Sequence, residues 1–197
     1  MSRLPMVPTR PEDPRLAGVL ARLREVRGAD FELPSLYRVL AIAPSMFRAW
    51  IDFAWPLRLE ASTPRGLREL LILRGSQICN ARYEWAHHVP MALEAGVSRE
   101  RISALHDWQH AEVFDDPERA VLRVAEEVTA GPGASTDAID GLKAAGLTDE
   151  QVVEIVLTAS FYVCVARFLA SMDMPLEEGY EKYLDEGKCR LPQALIR

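Results

Sequence analysis

The chain has 197 residues, of which 49% are hydrophobic and 26% are charged, and its formal net charge is −6. This balance is typical of a folded globular protein, and the length suits one domain better than two. The 23 Lys and Arg residues are scattered among 29 acidic residues. This distribution argues against nucleic acid as a partner, because proteins that bind it carry clustered basic side chains.

The chain divides into three predicted parts. Residues 1–14 are rich in Pro and Arg and lack the apolar core of a secretory signal, so we expect a flexible N-terminal arm. Residues 15–184 are predicted to form a single domain, and residues 185–197 to form a surface tail.

The cysteines and the most apolar segment bear on the location of the protein. Cys79, Cys164 and Cys189 are odd in number and far apart, which argues against a disulfide framework and favours the cytoplasm. Residues 152–170 are strongly apolar but are interrupted by charged side chains. We therefore predict a buried core helix rather than a membrane span, with Cys164 inert inside it.

Helical periodicity dominates the whole sequence, and no strand pattern competes with it. We predict an all-α domain, a bundle of about eight to ten helices packed as antiparallel pairs. In chain order, the predicted helices cover residues 13–27, 35–43, 45–58, 64–78, 84–95, 98–107, 115–129, 135–145 and 148–170.

Local signals mark several of the helix boundaries. Ser62 or Thr63 is the expected cap of the helix that starts at Pro64. Gly96 is predicted to end a helix in the left-handed conformation, and Thr148 with Gln151 matches a capping box.

One short run, residues 82–88, carries most of the chemical information. Glu84 and His88 are four residues apart on a predicted helix, so both side chains can address the same small volume. Glu69 lies in an apolar run, where a buried carboxylate needs a partner. The alternatives are a structural hydrogen bond for His88, and for Glu69 an exposed ion pair with Arg65. Glu84 either orients His88 or acts as the acid or base itself.

The spacing of these residues resembles the carboxymuconolactone decarboxylase family, which includes the alkyl hydroperoxidase D proteins. That family has an upstream Glu, a Cys-x-x-Cys pair, a His and an Ala-Gly helix end. Its pattern falls here on Glu69, on Ala81 and Glu84, on His88 and on Gly96. The resemblance implies the all-α fold of this superfamily and a homo-oligomer, a trimer or a hexamer, with sites near subunit contacts.

The chain departs from the family pattern at the two thiols. Alkyl hydroperoxidases need one thiol to attack the peroxide and one to resolve it, whereas Ala81 and Glu84 occupy these positions here. Cys79 lies two residues earlier, turned by about 200° around a helix. The resemblance therefore favours the branch of the family without the Cys-x-x-Cys pair.

Other residues are weaker candidates. Arg82 is the candidate for binding a substrate carboxylate. Trp85 is a candidate substrate-binding residue, with packing as its alternative role, and His87 is expected at a surface or interface. His106 and His110 have the spacing of a metal pair but no third ligand, so we predict no metal.

Three functions remain open. The leading hypothesis is cofactor-free acid–base chemistry, decarboxylation or related lactone and enol chemistry, on a small carboxylated metabolite, with His88, Glu84 and Glu69 as catalytic residues. The second is a hydroperoxide reductase that uses Cys79 as its redox residue and requires a low thiol pKa there. The third is an oligomer that binds a small metabolite without changing it.

Overall fold

The computed structural model describes residues 2–184, and this range contains nine α-helices, three short 3₁₀ turns and no β-strand. The predicted all-α fold is confirmed. The predicted tail, residues 185–197 with Cys189, lies outside the described residues. The helices are α1 (Ala17–Arg27), α2 (Ser35–Leu40), α3 (Pro44–Leu59), α4 (Arg65–Ile78), α5 (Arg82–Glu94), α6 (Arg99–Ala104), α7 (Asp116–Ala130), α8 (Thr136–Ala144) and α9 (Asp149–Met172).

The N-terminal segment follows a defined path over the helices. The backbone N–H of Arg3 donates to the carbonyl of Met172 at 2.9 Å, and Nε of Arg38 donates to the carbonyl of Val7 at 2.7 Å. These bonds connect the segment to the end of α9 and to α2. The mobility of residues 1–14 in solution stays a prediction.

Helix α4 occupies the centre of the fold, where it contacts α5, α7 and α9. All side chains from residue 68 to residue 74 are buried. Leu70 and Leu73 pack in a core cluster with α5, while Leu71 and Ile72 pack in a second cluster with α7 and α9. Glu69 is therefore enclosed on a central helix and is only 4% exposed, as its apolar flanks predict.

The turn between α4 and α5 brings the candidate site together. Asn80 adopts a φ of 50° in this turn, and Asn is one of the few residues besides Gly that accept the left-handed region. Helix α5 then runs back along α4, so that Glu69 and His88 come into contact. Gly96 has a φ of 88° at the end of α5, and the capping box of Thr148 and Gln151 starts α9, both as predicted.

The start of α4 differs from the prediction. Pro64 itself occupies the cap position, and neither Ser62 nor Thr63 caps the helix with its side chain. Instead, the backbone N–H groups of Ser62 and Thr63 donate to the carboxylate of Glu154 at 2.7 and 2.8 Å. The acceptor at this junction therefore comes from α9, a helix distant in sequence, and not from the residues that precede α4.

Helix α9 is buried on one face only. By length and composition alone it is the one described helix that qualifies as a membrane span, yet Val152, Ile155 and Ala159 pack in the core cluster with α4, α7 and α8. The other face exposes Val153 and Leu157. Cys164 is also exposed, which corrects the prediction that the helix buries it, because its position in the helical turn places it away from the core.

Candidate active site

A cavity of about 550 Å³ lies between α1, α2, α3, α5 and α9, beside the chain that follows α9. The polar residues that line it include Arg58, Glu84, His87 and His88. Its wall is mainly apolar and carries several aromatic rings, which include Tyr37, Trp50, Tyr83, Phe161, Tyr162 and Tyr180. An apolar, concave wall with a few converging polar groups is typical of a site for a small molecule.

A carboxylate from the neighbouring helix holds His88. Nδ1 of His88 lies 2.7 Å from Oε2 of Glu69, and both side chains are buried. Oε1 of Glu69 also lies 3.3 Å from Nε of Arg65, so the ion pair and the histidine contact occur together. Burial acts to raise the pKa of Glu69, but the charge and hydrogen bond of His88 and the charge of Arg65 hold it below its usual value. An ionised Glu69 thus fixes one ring nitrogen and leaves Nε2 of His88 for a ligand.

Glu84 lies one helical turn before His88, and both residues line the cavity, as their spacing predicts. The side chain of Glu84 is only 2% exposed. Oε1 lies 2.7 Å from Oγ of Ser76, while Oε2 has no hydrogen-bond partner among residues 2–184. Burial raises the pKa of Glu84 to about 8, although the hydrogen bond from Ser76 acts to lower it. The carboxyl group is therefore uncharged at neutral pH.

The surroundings of Ser76 support a protonated Glu84. Oγ of Ser76 lies 2.8 Å from the carbonyl of Ile72 and 2.7 Å from Glu84, yet a hydroxyl group has only one hydrogen to donate. Both contacts are satisfied when Ser76 donates to Ile72 and Glu84 donates to Ser76. When Ser76 donates to Glu84 instead, the carboxyl proton sits on Oε2, the oxygen without a protein partner. Glu84 can thus present either an acceptor or a donor to a ligand.

The histidine and its orienting group are paired differently from the sequence-based expectation. No hydrogen bond joins Glu84 to His88 within residues 2–184, and the orienting contact comes from Glu69. The i, i+4 spacing places the two side chains on one face, but the carboxyl of Glu84 turns towards Ser76 on α4. Glu69 and Glu84 consequently differ in charge, one ionised and the other neutral.

The two expected substrate-binding residues lie away from the cavity. Arg82 is exposed at the start of α5, and Trp85 is fully buried in the core cluster with Leu70 and Leu73. Nε1 of Trp85 donates to the carbonyl of Tyr183 at 2.9 Å. Trp85 and Arg82 miss the cavity because it faces the side of α5 that carries Glu84 and His88. Packing, the alternative role of Trp85, is what the structure shows.

His87 is a lining residue that the sequence did not single out. The sequence predicts it at a surface or an interface, and in the structure its ring is stacked between Tyr83 and Tyr180, at centroid distances of 4.3 and 4.0 Å. Nε2 of His87 lies 2.8 Å from the carboxylate of Glu177. The contact with Tyr83 follows from the i, i+4 spacing on α5, whereas the contacts with Tyr180 and Glu177 come from the return of the chain after α9, and the local sequence held no signal for these two.

Glu177 ties this returning segment to the rest of the site. Its carboxylate also accepts from the hydroxyl of Tyr83 and from the backbone N–H of Ser35, each at 2.8 Å. Burial acts to raise the pKa of Glu177, but the hydrogen bonds from His87, Tyr83 and Ser35 lower it to about 2. The residues after α9 are thereby fastened beside the cavity by one ionised side chain.

Cys79 does not have the features that the peroxidase alternative requires. It ends α4, is half-buried and is not among the residues that line the cavity. Burial and the nearby Glu84 raise the pKa of the Cys79 thiol to about 11, despite the opposing charge of Arg167. The thiol is therefore protonated at neutral pH, whereas the thiolate is the reactive form.

The possible metal pair is part of an exposed surface. Nδ1 of His106 contacts the carbonyl of Ser103, and Nδ1 of His110 lies 2.6 Å from the carboxylate of Asp107. Among residues 2–184, no three His, Cys, Asp or Glu side chains are grouped to hold a metal ion.

The comparisons with known proteins agree with this fold. Residues 44–127 match the model of the Carboxymuconolactone decarboxylase family. The chain is 26% identical over 149 residues to the uncharacterized protein YnjA of Escherichia coli (strain K12), covering 76% of this chain and 74% of YnjA. It is 27% identical over 117 residues to the uncharacterized protein YdfG of Bacillus subtilis (strain 168), covering 59% of this chain and 79% of YdfG.

Two solved structures share the fold along nearly the whole chain. The alkylhydroperoxidase AhpD core of an uncharacterized peroxidase-related protein from Ralstonia eutropha JMP134 has a TM-score of 0.76 at 19% identity, covering 94% of this chain and 96% of that one. A variant of the debrominase Bmp8 in complex with 2,3,4-tribromopyrrole has a TM-score of 0.75 at 22% identity, covering 94% of this chain and 99% of that one.

The fold and the cavity define an all-α protein with a concave, partly aromatic cavity. Residues 44–127 match the family model, and the fold is similar to that of an alkyl hydroperoxidase D core, in agreement with the resemblance predicted from the residue spacing. The matched family takes its name from a decarboxylase, and one of the similar structures is a peroxidase-related protein.

Proposed function

We propose that the protein is an enzyme that transfers protons on a small, planar, carboxylated metabolite and uses only its own side chains as acid and base. One observation carries the proposal. A neutral carboxyl group, Glu84, and an imidazole held by an ionised carboxylate, His88 with Glu69, face the same aromatic cavity. Pairs of titratable groups whose surroundings push their pKa values apart are typical of acid–base catalysis.

The hydrogen bonds assign a role to each group. With Nδ1–H of His88 donating to Glu69, Nε2 is the nitrogen left to accept a proton, and we assign it the role of the base. Glu84 carries a proton at neutral pH because burial raises its pKa to about 8, and we assign it the role of the acid. The hydrogen bond from Ser76 to Oε1, at 2.7 Å, favours the ionised form, but the burial of the carboxyl group outweighs it and keeps the proton in place.

These roles support two related reactions, both without net oxidation. In an isomerisation, Nε2 of His88 removes a proton from a carbon next to a carbonyl, and Glu84 protonates the far end of the conjugated system. In a decarboxylation, the bond to the carboxyl carbon breaks, CO2 leaves, and the electron pair moves into an adjacent carbonyl. Glu84 then protonates the carbon, and solvent returns a proton to Glu84.

The wall of the cavity supports a planar substrate. Tyr162 meets the ring of His88 edge to face at a centroid distance of 4.9 Å, and Phe161 and Trp50 form a second edge-to-face pair. Such surfaces favour flat, unsaturated molecules. The molecule in the Bmp8 complex, 2,3,4-tribromopyrrole, is itself a small planar ring.

Hydrogen–deuterium exchange tests the proposal even when the product is unknown. The purified protein is incubated in D2O with a panel of β-keto acids and carboxylated lactones, and loss of acidic C–H signals or of the substrate is followed by NMR. We expect the wild type to catalyse exchange or conversion of at least one compound. His88→Gln is expected to abolish it, and His106→Gln, an exposed histidine, to leave it unchanged.

Two outcomes would overturn the proposal. Full activity of His88→Gln would remove His88 from the chemistry. A compound that binds in the cavity but is neither exchanged nor converted would favour the third hypothesis, a protein that binds a metabolite without changing it.

A further inference from the structure

Arg58 is an arginine that lines the cavity. It lies in the last turn of α3 and lines the cavity together with Glu84 and His88. The charge of Arg58 contributes to lowering the pKa of Glu69. No sequence pattern singles it out, because it lies in a different helix from the conspicuous run at residues 82–88.

The guanidinium of Arg58 has no ion pair among residues 2–184. Its hydrogen bond is to the thioether of Met91, with Nη2 3.1 Å from Sδ, and a thioether is a weak, uncharged acceptor. Nearly all donors of this guanidinium therefore remain for another group. Met91 also lines the cavity, so the contact keeps Arg58 beside the space that a ligand would fill.

The backbone that carries Arg58 is anchored. Arg68 on α4 is buried, and its guanidinium donates to the carbonyls of Leu57 and Arg58 at the end of α3 and to the carbonyl of Thr63. These bonds satisfy helix-end acceptors and join α3 to α4. The position of Arg58 relative to Glu69 and His88 is thus set by the fold.

The acidic groups near Arg58 do not compensate its charge. Glu84 is held in the neutral form by its burial. Glu69 is already paired with Arg65 and is in hydrogen-bond contact with His88. Glu177, on the other side, is matched by its own hydrogen bonds from His87, Tyr83 and Ser35.

The charged residues on the α1 side also have partners of their own. Arg27 lies over the ring of Phe31, 5.7 Å from its centroid, and Glu32 pairs with Arg10 at 3.2 Å. Among residues 2–184, Arg58 consequently has no ion-pair partner for its charge, and it lines a largely apolar cavity together with Glu84 and His88.

We propose that Arg58 binds the carboxylate of the substrate and makes the cavity selective for planar organic anions over their neutral analogues. This inference rests on the proposed function in that it treats the ligand as a substrate. The binding of a carboxylate to Arg58 does not itself require turnover. A guanidinium can pair with a carboxylate through two parallel hydrogen bonds, which orients the ligand as well as attracting it. The ring of the ligand then lies among the aromatic side chains, with its reactive end towards Glu84 and His88.

Calorimetry with two matched probes tests this assignment. 2-Naphthoate and 2-naphthamide have the same ring and nearly the same size, but only the first carries a charge. We expect the wild type to bind 2-naphthoate at least tenfold more tightly than 2-naphthamide. Arg58→Met should abolish this preference, and Arg58→Lys should restore part of it, because it keeps the charge but not the two-pronged geometry.

Arg82→Met is the matched control, since it removes an arginine that is exposed and lies outside the cavity. It should bind both probes like the wild type. Retention of 2-naphthamide binding by Arg58→Met would verify that this variant keeps the cavity. Equal affinity of the wild type for both probes, no binding of 2-naphthoate, or an unchanged preference in Arg58→Met would overturn the assignment.

The two proposals can fail separately. A preference for 2-naphthoate that depends on Arg58, without any exchange or conversion in D2O, would support the anion site and contradict the enzymatic function. Exchange that depends on His88, without a preference for 2-naphthoate, would support the enzymatic function and contradict the anion site.

Discussion

Nδ1 of His88 lies 2.7 Å from Oε2 of Glu69, a contact between two buried side chains on adjacent antiparallel helices. It exists because the turn at Asn80 folds α5 back along α4. A carboxylate in this position fixes the tautomer and the orientation of the imidazole, as in hydrolase triads. Glu69 therefore acts through His88 and is a positioning residue in the proposed mechanism.

Glu69→Gln should lower kcat by about 10²- to 10⁴-fold and leave KM nearly unchanged. This range is the usual contribution of a general base, here His88, which Glu69 positions. The amide keeps the size of the side chain but not its charge, so it cannot stabilise a protonated imidazole. The measurement is steady-state kinetics on a compound converted in the exchange assay. Glu94→Gln is the control, since Glu94 also pairs with Arg65 but is exposed. A Glu69→Gln enzyme with normal kcat would contradict this role.

Glu84 should make the protein less stable at alkaline pH. Its pKa is about 8 in the folded protein, compared with an ordinary value of 4.5, so the folded state holds the proton more tightly. The stabilisation is complete below about pH 4.5 and is lost as the pH rises through 8. Between these two pH values the contribution of Glu84 to the free energy of unfolding falls by about 1 kcal/mol per pH unit. Denaturant unfolding at pH 5 to 9 measures it, and in Glu84→Gln this contribution should disappear. If the free energy of unfolding depends on pH in the same way in the wild type and in Glu84→Gln, the pKa of Glu84 is not raised in the folded protein.

Cys79 should react slowly with thiol reagents. Its raised pKa, about 11, leaves a very small thiolate fraction at pH 7. The double variant Cys164→Ser and Cys189→Ser leaves Cys79 as the single thiol, and its alkylation by iodoacetamide is followed by mass spectrometry at several pH values. We expect a rate well below that of free cysteine, and full activity for Cys79→Ser. Rapid alkylation near pH 7 would instead favour the peroxidase hypothesis.

Glu177→Gln should loosen the segment after α9. The substitution replaces an ionised acceptor of three hydrogen bonds, so we expect a loss of about 1–2 kcal/mol of unfolding free energy and faster hydrogen exchange in residues 174–184. Glu178→Gln, at an exposed neighbouring position, is the control.

The pH dependence provides an independent check on Glu177. Its pKa of about 2 in the folded protein is below the ordinary value of 4.5, so its stabilisation is present above pH 4.5 and is lost as the pH falls through 2. The difference in stability between the wild type and Glu177→Gln should therefore shrink on acidification. A difference that is constant from pH 6 to pH 2.5 would show that Glu177 is not the titrating group.

The sequence predicted what depends on local spacing. Gly96 and the pair of Thr148 and Gln151 ended and started helices as expected, because glycine conformation and capping involve only a few neighbouring residues. The proximity of Glu69 and His88 followed from the family resemblance, which contains information about helix packing that a single sequence does not state.

The remaining parts of the site depend on packing between distant segments. Glu177 and His87 are 90 residues apart, and their contact depends on the path of the chain after α9. Arg58 reaches the cavity because Arg68 joins α3 to α4. Arg82 carries the same charge and lies closer to His88 in sequence, but its helical phase points it to solvent. Periodicity identifies a helix face, yet it does not say which of two faces meets a cavity.

The two faces of helix α5 have different roles. One side places Trp85, Val89 and Ala92 in the main core, and the other side places Tyr83, Glu84, His87, His88 and Met91 at the cavity. A substitution at a cavity position, such as a thiol in place of a carboxyl at residue 84, would therefore alter reactivity while the packing that holds the helix stays intact. An architecture of this kind allows one scaffold to host different chemistries through a few exchanges on a single helical surface.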